Sequence, residues 1–284
     1  FLGLKALKDI EHRSHLDAAA LGLDREADLV TGPHNVLGIE LNEYAAELAR
    51  VTVWIGELQW RIQRGYGFKT QPVLEPLEHI ECRDAVLNAD GREAAWPQAD
   101  VVVGNPPFVG DKKMRGELGD EYTGRLRAAY KGRVPGGADL VCYWFERARR
   151  EIEAGRLQRA GLVATNSIRG GANRAVLDAI VKTTRIFEAW SDEPWVNDGA
   201  AVRVSLVAFG ASVQGAVVNG RNVASIPSDL TGAGEAGTLN LTVAERLGAC
   251  RGACFQGSVK VGAFDGDAIL RGKYQPGDRL TELT

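Results

Sequence analysis

The sequence predicts an α/β fold in which a mostly parallel, doubly wound sheet ends in an antiparallel hairpin at one edge. Apolar runs of strand length alternate with amphipathic helical stretches over the first three quarters of the 284 residues, which is typical of βαβ units. The last two strand candidates have no helix between them, and this predicts the hairpin. The composition, 45% hydrophobic and 25% charged, argues against disordered, collagen-like and mucin-like classes.

The first elements are predicted to be a helix, a short strand and a longer helix. Leu4, Leu7 and Ile10 recur at helical spacing and open the chain. The apolar run at 36–39 predicts a buried strand. The next helix has one apolar face, formed at steps of three and four residues by Leu48, Val51, Ile55, Leu58 and Ile62.

The remaining elements continue this alternation. We predict strands over 79–87, 99–108, 160–168, 185–190 and 202–210. Amphipathic helices around Phe145 and Leu177 flank the middle strand of this set. The turn signal Asn197-Asp198-Gly199 joins the last two strands.

Composition divides the chain into two parts. From about residue 211 glycine and serine become more frequent, and the stretch 229–238 is typical of a linker or loop. We therefore predict a main domain over 1–210, followed by a linker and the start of another region over 211–284.

Charge, hydropathy and cysteine content argue against several classes of protein. No apolar run approaches the ~18 residues of a membrane-spanning helix. The net charge of −3 argues against a globally basic nucleic-acid coat and leaves room for a local basic cleft. The four cysteines, Cys82, Cys142, Cys250 and Cys254, are too few for a disulfide scaffold and form no metal-site pattern with the histidines. We expect buried thiols in a reducing cytoplasm, no membrane contact and no metal.

The motif Asn105-Pro106-Pro107-Phe108 directly follows an apolar strand candidate. Ligands of open parallel sheets bind beyond the carboxyl ends of the strands, so the motif lies where a site is expected. The side-chain carbonyl of Asn105 and the backbone carbonyl of Pro106 can accept both hydrogens of an exocyclic amino group, and Phe108 can stack on a base. The two prolines restrict the backbone. A plain Asn-Pro turn is the alternative interpretation.

This motif suits methylation of an amino nitrogen. Accepting both amino hydrogens draws electron density onto the nitrogen and favours a tetrahedral geometry, which aligns the lone pair for attack on an electrophilic methyl group. No strong base is needed before the attack, because the proton can leave afterwards.

Two carboxylates end the preceding strand candidates. Glu40 follows the run at 36–39 and can bind the two hydroxyls of a ribose, or it is a solvated strand-end charge. Asp84 follows the apolar start of the next candidate, at 79–82, and can accept from an adenine amino group, or it caps a helix or turn. With Asn105, these residues fall at the ends of three successive strands.

Residues 111–133 hold seven basic and four acidic side chains, a local charge of +3 in a chain that is negative overall. Such a segment beside the site can contact phosphates, and Lys112, Lys113 and Arg115 are the candidates for these contacts. A solvated helix face is the alternative.

With these residues placed, the chain resembles class I S-adenosylmethionine-dependent DNA methyltransferases that modify the adenine amino group. More narrowly, it resembles the bacterial MmeI-like (type IIL) restriction–modification enzymes. The likeness lies in GNPPFVGDKKMRGELGDEY (104–122), VPGGADLVCYWFERA (134–148), GLVATNSIRGG (161–171) and ACFQGSVKVGAFDG (253–266). It implies a Rossmann-like methyltransferase fold, S-adenosylmethionine as cofactor, and a cytoplasmic bacterial enzyme.

The resemblance also implies a role for each candidate residue. The target adenine, flipped out of double-stranded DNA, would be held by Asn105, Pro106, Pro107 and Phe108. Glu40 would bind the ribose of the cofactor, and Asp84 would bind its adenine.

Two departures from the family pattern predict a fragment of a longer polypeptide. The family's glycine-rich cofactor turn follows its first strand, and this chain begins at Phe1-Leu2, at the last residue of that turn. Since that first strand is central, we expect a gap in the sheet between its neighbours. The chain stops at Thr284, before a target-recognition domain is complete, and the nuclease domain is missing. Residues 1–210 would then be a truncated catalytic domain, and 211–284 the linker and start of the target-recognition region.

Two other functions stay open. A methyltransferase acting on a protein glutamine or on RNA can use the same type of motif, because the motif suits any planar amino group. A catalytically silent nucleic-acid-binding module fits the missing glycine turn. Phe108, the basic segment and the long match favour DNA methylation.

Overall fold

The structure, a computed structural model, describes residues 1–21, 29–66, 79–197, 200–211 and 215–232. All of these residues belong to the first of two compact units of the chain, Phe1–Thr238. The second unit, Leu239–Thr284, lies outside the described residues, and with it lie the stretch 253–266, Cys250 and Cys254.

The described part of the chain contains six α-helices and eight strands. The helices are α1 (Leu2–Ala20), α2 (Glu43–Arg64), α3 (Asp111–Leu118), α4 (Asp120–Ala129), α5 (Cys142–Glu153) and α6 (Gly171–Thr183). The strands are β1 (Gly38–Glu40), β2 (Ile80–Cys82), β3 (Val101–Gly104), β4 (Arg159–Thr165), β5 (Arg185–Asn197), β6 (Ala200–Gly210), β7 (Val217–Val218) and β8 (Arg221–Asn222).

These strands form two sheets. In the first, β1 and β2 pair in parallel. The second has the order β3-β4-β6-β5-β7-β8, with β3 and β4 parallel and with antiparallel pairing from β4 through β6 to β5. The α/β fold and the β5–β6 hairpin are confirmed. Three of the five strand pairings in the second sheet are antiparallel, so this sheet is mixed rather than mostly parallel. The hairpin does not end the sheet, because β7 pairs with β5 in parallel and β8 follows it.

Strands β1 and β3 each have one open edge within the described residues. β1 pairs there with β2 alone, and β3 pairs with β4 alone. Val101 and Val103, which share one face of β3, are 54% and 80% exposed. The break between the two sheets agrees with the gap that the resemblance predicts.

The main core is shared by the six-stranded sheet and the helices α5 and α6. Phe145 of α5 stacks on Phe209 of β6 with ring centroids 6.1 Å apart, and both side chains are fully buried. Leu177 of α6 is buried in the same cluster. Ile226 and Leu230 also belong to it, so residues beyond 210 pack on this core. The domain boundary at 210 stays a prediction.

Helices α1 and α2 pack through a buried ion pair. The Lys8 ammonium donates to the Glu57 carboxylate at 2.7 Å, and both side chains are almost fully buried. The same ammonium lies 4.6 Å from the ring centroid of Trp60. The burial of Lys8 is therefore compensated by a carboxylate and an aromatic face.

The apolar stripe of α2 lies on its exposed side. The helix predicted from this stripe is confirmed, but Leu48, Val51, Ile55 and Ile62 are between 49% and 63% exposed. The packed side instead carries Ala46, Val53, Gly56, Glu57 and Trp60. The stripe stays exposed because α1 packs on the side of α2 that carries Glu57 and Trp60.

The cysteines differ in their environments. Cys142 is buried, and burial raises the pKa of its thiol. Cys82 is exposed, so the expectation of a buried thiol is wrong at this position. Among the described residues, no helix is long and apolar enough to cross a membrane. The same residues contain no group of three side chains placed to hold a metal ion.

Candidate active site

Three predicted site residues lie at the carboxyl ends of strands. Glu40 is the last residue of β1, Asp84 lies two residues after β2, and Asn105 directly follows β3. The register of the first sheet places Glu40 opposite Cys82, and the Arg83 N–H donates to the Glu40 carbonyl at 3.0 Å. Glu40 and Asp84 therefore leave the small sheet at the same end.

The Glu40 carboxylate is held at the start of α2. Its Oε1 accepts the backbone N–H of Asn42 at 2.9 Å. The Asn42 side chain in turn caps the helix by accepting the N–H of Ala45 at 3.0 Å. No further hydrogen bond reaches this carboxylate from the described residues, so Oε2 can accept from a ligand. A half-buried carboxylate fixed in this way suits a pair of ribose hydroxyls.

The Asp84 side chain accepts three hydrogen bonds from its own domain. Its Oδ1 accepts the N–H groups of Val86 at 2.8 Å and Leu87 at 3.1 Å. Its Oδ2 accepts the hydroxyl of Tyr122 at 2.6 Å. Asp84 thus caps a turn, which is one of the two roles that the sequence predicts for it. A carboxylate oxygen has two lone pairs, so Oδ2 retains one for an adenine amino group.

A cavity of about 300 Å³ opens beside Asp84. It is lined by Arg83, Asp84, Leu87, Asn88, Ala89, Tyr122 and Arg125. Burial, followed by the hydrogen bond to Asp84 and its charge, raises the pKa of Tyr122 above the usual value. The phenol therefore stays protonated and donates to Asp84. The volume is at the lower end of the range for small-molecule pockets.

The motif Asn105-Pro106-Pro107-Phe108 forms the loop between β3 and α3. Pro106 is buried, Phe108 is half-buried, and Asn105 and Pro107 are exposed. Within the described parts of the chain, nothing hydrogen-bonds the side chain of Asn105 or the carbonyl of Pro106. Two acceptor atoms at the end of β3 thus have no hydrogen-bond partner among the described residues.

Both ends of this loop are held in place. At its start, Gly104 packs so closely on β4 that a Cβ atom there would lie 3.3 Å from Leu162 Cδ2. At its end, the carbonyl of Val109 accepts the N–H of Leu140 at 2.9 Å. The N–H of Asp111 donates to Asp139 Oδ1 at 2.9 Å.

The start of the basic segment is exposed. Lys112, Lys113 and Arg115 all lie on the exposed side of α3, while Met114 between them is buried. The Arg115 guanidinium lies 2.5 Å from the carboxylate of Asp120. The two lysines can therefore reach a phosphate without first losing a buried partner.

Other members of the basic segment have structural partners. Arg127 pairs with Asp111, and Arg133 pairs with Glu93 and lies 3.5 Å from the buried Glu146. These ion pairs join the segment to α5 and to the loop before β3. The phosphate-binding interpretation therefore applies to the exposed members of the segment.

Comparison with known proteins assigns the family. The family model described as the MmeI DNA-methyltransferase domain matches residues 2–219. The chain belongs to this family. The match covers most of the chain and includes β1 to β6 with all three strand-end residues.

Two relatives put this MmeI-family domain in context. It is 27% identical to DNA methyltransferase A of Bacillus subtilis strain 168, over 61% of this chain and 20% of the relative. It superposes on the type IIL restriction–modification enzyme MmeI, solved in complex with DNA, with a TM-score of 0.60 and 21% identity. That superposition covers 81% of this chain and 33% of the MmeI chain, and it shows a shared fold. The chain spans only a fifth to a third of the length of these relatives.

Sequence reasoning missed two residues of the site in this MmeI-family domain, Tyr122 and Asp139. Tyr122 contacts a residue 38 positions away, and Asp139 contacts one 28 positions away, so no local spacing indicates either contact. The available signal was their presence in the stretches 104–122 and 134–148.

Proposed function

We propose that this domain transfers the methyl group of S-adenosylmethionine to the N6 amino group of an adenine in DNA, as part of a restriction–modification enzyme. One observation carries the proposal. The Asn105-Pro106-Pro107-Phe108 loop lies at the carboxyl end of β3, in a chain of the MmeI DNA-methyltransferase family, and its two candidate acceptor atoms have no hydrogen-bond partner among the described residues.

The residues at the strand ends suit S-adenosylmethionine. The Glu40 carboxylate can accept from the two ribose hydroxyls. The Oδ2 atom of Asp84, beside the cavity of about 300 Å³, can accept from the adenine amino group. When bound, this cofactor supplies an electrophilic methyl group on a sulfonium centre.

The motif would prepare the target nitrogen for attack. Asn105 Oδ1 and the Pro106 carbonyl accept its two N–H bonds, and Phe108 stacks on the flipped base. The nitrogen attacks the methyl carbon as the carbon–sulfur bond breaks, which leaves S-adenosylhomocysteine. The extra proton on nitrogen leaves afterwards to water. Positioning and electrostatics dominate such a reaction, since the protein forms no covalent bond.

We also propose that the partner is double-stranded DNA and that the site belongs to a longer cytoplasmic polypeptide. Residues 1–210 would be its catalytic domain, and 211–284 would lead into a target-recognition domain, with a nuclease domain elsewhere. The 33% coverage of the MmeI chain and the resemblance at 253–266 support this arrangement.

Product analysis tests the function. The full-length polypeptide is incubated with labelled S-adenosylmethionine and with adenine-containing DNA, RNA or a glutamine-bearing protein, and the products are hydrolysed for mass spectrometry. We expect N6-methyladenine from DNA. Methylated glutamine or RNA in its place would assign one of the alternative substrates, and cofactor binding without any product would indicate a silent module.

Cofactor binding depends on the two carboxylates in this proposal. Glu40→Ala and Asp84→Ala are each expected to weaken S-adenosylmethionine binding about 10- to 100-fold, because hydrogen bonds to charged groups contribute about 1.5–3 kcal/mol. Calorimetric titration of the full-length polypeptide measures the Kd. Glu47→Ala is the matched control, since Glu47 is exposed on α2 and pairs with Arg50. Unchanged Kd values in both folded variants would refute these roles.

DNA affinity is expected to depend on the exposed lysines of α3. The double variant Lys112→Ala/Lys113→Ala should weaken binding to all DNA sequences alike and reduce the slope of log K against log salt by about 1–2. Fluorescence anisotropy at several salt concentrations measures both effects. Lys182→Ala, an exposed lysine near the end of α6, is the control. A slope equal to that of the control would show that this face of α3 does not contact DNA.

A further inference from the structure

Asp139 lies where three stretches of the chain meet, and the proposed reaction gives it no role. It precedes α5 in the stretch 134–148. Its Oδ1 accepts the N–H of Asp111, at the start of α3, at 2.9 Å. The adjacent Leu140 N–H donates to the carbonyl of Val109 at 2.9 Å. The end of the Asn105–Phe108 loop is thus attached to residues 139 and 140 through the N–H of Asp111 and the carbonyl of Val109, while the side chain of Asp111 pairs with Arg127 of α4.

The second oxygen of Asp139 connects this attachment to the end of β4 and to α6. Its Oδ2 accepts the Ser167 hydroxyl at 2.8 Å and the Asn173 side-chain N–H at 2.6 Å. Asn173 is 6% exposed, and its Oδ1 accepts the N–H of Asp139 at 2.7 Å and the thiol of Cys142 at 3.5 Å. These partners fix the orientation of the Asn173 amide, so its N–H must face Asp139.

We propose that Asp139 is a positioning residue that sets the place of Asn105 and Pro106 for methyl transfer. This inference rests on the proposed function. The start of the loop is set by the pairing of β3 with β4, and Asp139 sets its end against Ser167 just beyond β4. Both ends of the loop are therefore held in place relative to the same strand, β4. A misplacement of about 1 Å in a reacting group can cost 100-fold in rate.

The hydrogen bonds around residue 139 require that both polar atoms at the end of its side chain be acceptors. Asparagine has the same shape as aspartate, but it has an amide N–H₂ in place of one oxygen. That group would face the N–H of Asn173 or the N–H of Asp111, donor against donor. The reciprocal change Asn173→Asp supplies an acceptor to the new amide and keeps an oxygen for the N–H of Asp139, while the longer contact of the Asn173 N–H with the Ser167 carbonyl at 3.3 Å is lost. The double variant should therefore restore the attachment.

Steady-state methylation by the full-length polypeptide tests the inference. Asp139→Asn is expected to lower kcat about 10- to 100-fold, with Kd for S-adenosylmethionine and for DNA changed less than about twofold. Asp139→Asn/Asn173→Asp should recover most of the lost kcat. Asp100→Asn is the matched control, because Asp100 lies at the amino end of β3, accepts from Gln158 and should leave kcat unchanged. A normal kcat in Asp139→Asn, or no recovery in the folded double variant, would overturn the proposal.

A second variant and a second measurement keep the outcomes distinct. Ser167→Ala removes a single exposed donor, so it folds even if Asp139→Asn does not, and it should lower kcat severalfold at constant Kd. Hydrogen exchange in the same polypeptide should be faster at the Asp111 amide in Asp139→Asn than in the Asp100→Asn control. If the unsubstituted polypeptide methylates no DNA but Asp139→Asn still shows faster exchange at Asp111, the proposed function is wrong and the attachment by Asp139 is real. Unchanged exchange at the Asp111 amide in Asp139→Asn would show that Asp139 does not hold the loop.

Discussion

Asn105→Ala is expected to abolish methylation by the full-length polypeptide while its affinity for S-adenosylmethionine stays largely intact. The Asn105 side chain is exposed at the end of β3 and supplies one of the two acceptors that activate the target nitrogen. Loss of one preorganised polar group at a reacting atom commonly costs about 10²–10³ in kcat. Loss of the Asn105 side chain also leaves one hydrogen of the target amino group without an acceptor. Transfer of labelled methyl groups to DNA measures the rate, and calorimetry measures cofactor binding.

A matched control separates this effect from general damage to the domain. Asn222→Ala removes an exposed asparagine of β8, at the edge of the six-stranded sheet opposite to β3 and the motif. It should retain near-normal methylation. Full activity in Asn105→Ala would remove the basis of the proposed function, and loss of cofactor binding together with methylation would show that Asn105 has a different role.

Phe145→Ala is expected to destabilise the 284-residue chain by about 3–5 kcal/mol. Phe145 is fully buried and stacks on Phe209, so its removal leaves a cavity between α5 and β6. Urea unfolding followed by circular dichroism measures the free energy of unfolding. The midpoint should fall while the slope stays constant if the compactness of both states is unchanged.

Phe187→Ala tests whether burial is the cause of this loss. Phe187 is an aromatic residue of β5 that is only half-buried, with the Arg159 guanidinium 6.0 Å from its ring centroid. Its truncation should cost about 1 kcal/mol, since far less apolar surface returns to water. Equal losses in the two variants would mean that the core is not centred on α5.

The positions of the site residues that lie at the ends of strands were predictable from the sequence. Glu40, Asp84 and Asn105 each follow an apolar run, and the turn or helix that follows each run is a local feature of the sequence. Their ligand roles stay predictions. The hydrogen bonds that hold them were not predictable, since Tyr122 and Asp139 reach their partners only after the chain has folded back on itself.

The helix α2 shows the same limit in the fold. Its periodicity predicts a helix and an apolar stripe, because both depend on neighbours three and four residues apart. Which side is packed depends on the partner. Lys8 of α1 meets Glu57, and Leu48 and Ile55 of the stripe stay exposed.

The sequence by itself determined the order of β1 to β6 and of the helices α1, α2, α5 and α6, the hairpin of β5 and β6, and the family. Each of these is recorded in local patterns or in contiguous stretches such as 104–122. Only the tertiary structure decided that β7 and β8 extend the sheet beyond the hairpin, and that Arg133 pairs with Glu93 while Lys112 is exposed. The physical reason is that pairing between distant segments depends on strand register and on which charged group meets a buried partner, and neither is written in the spacing of neighbouring residues.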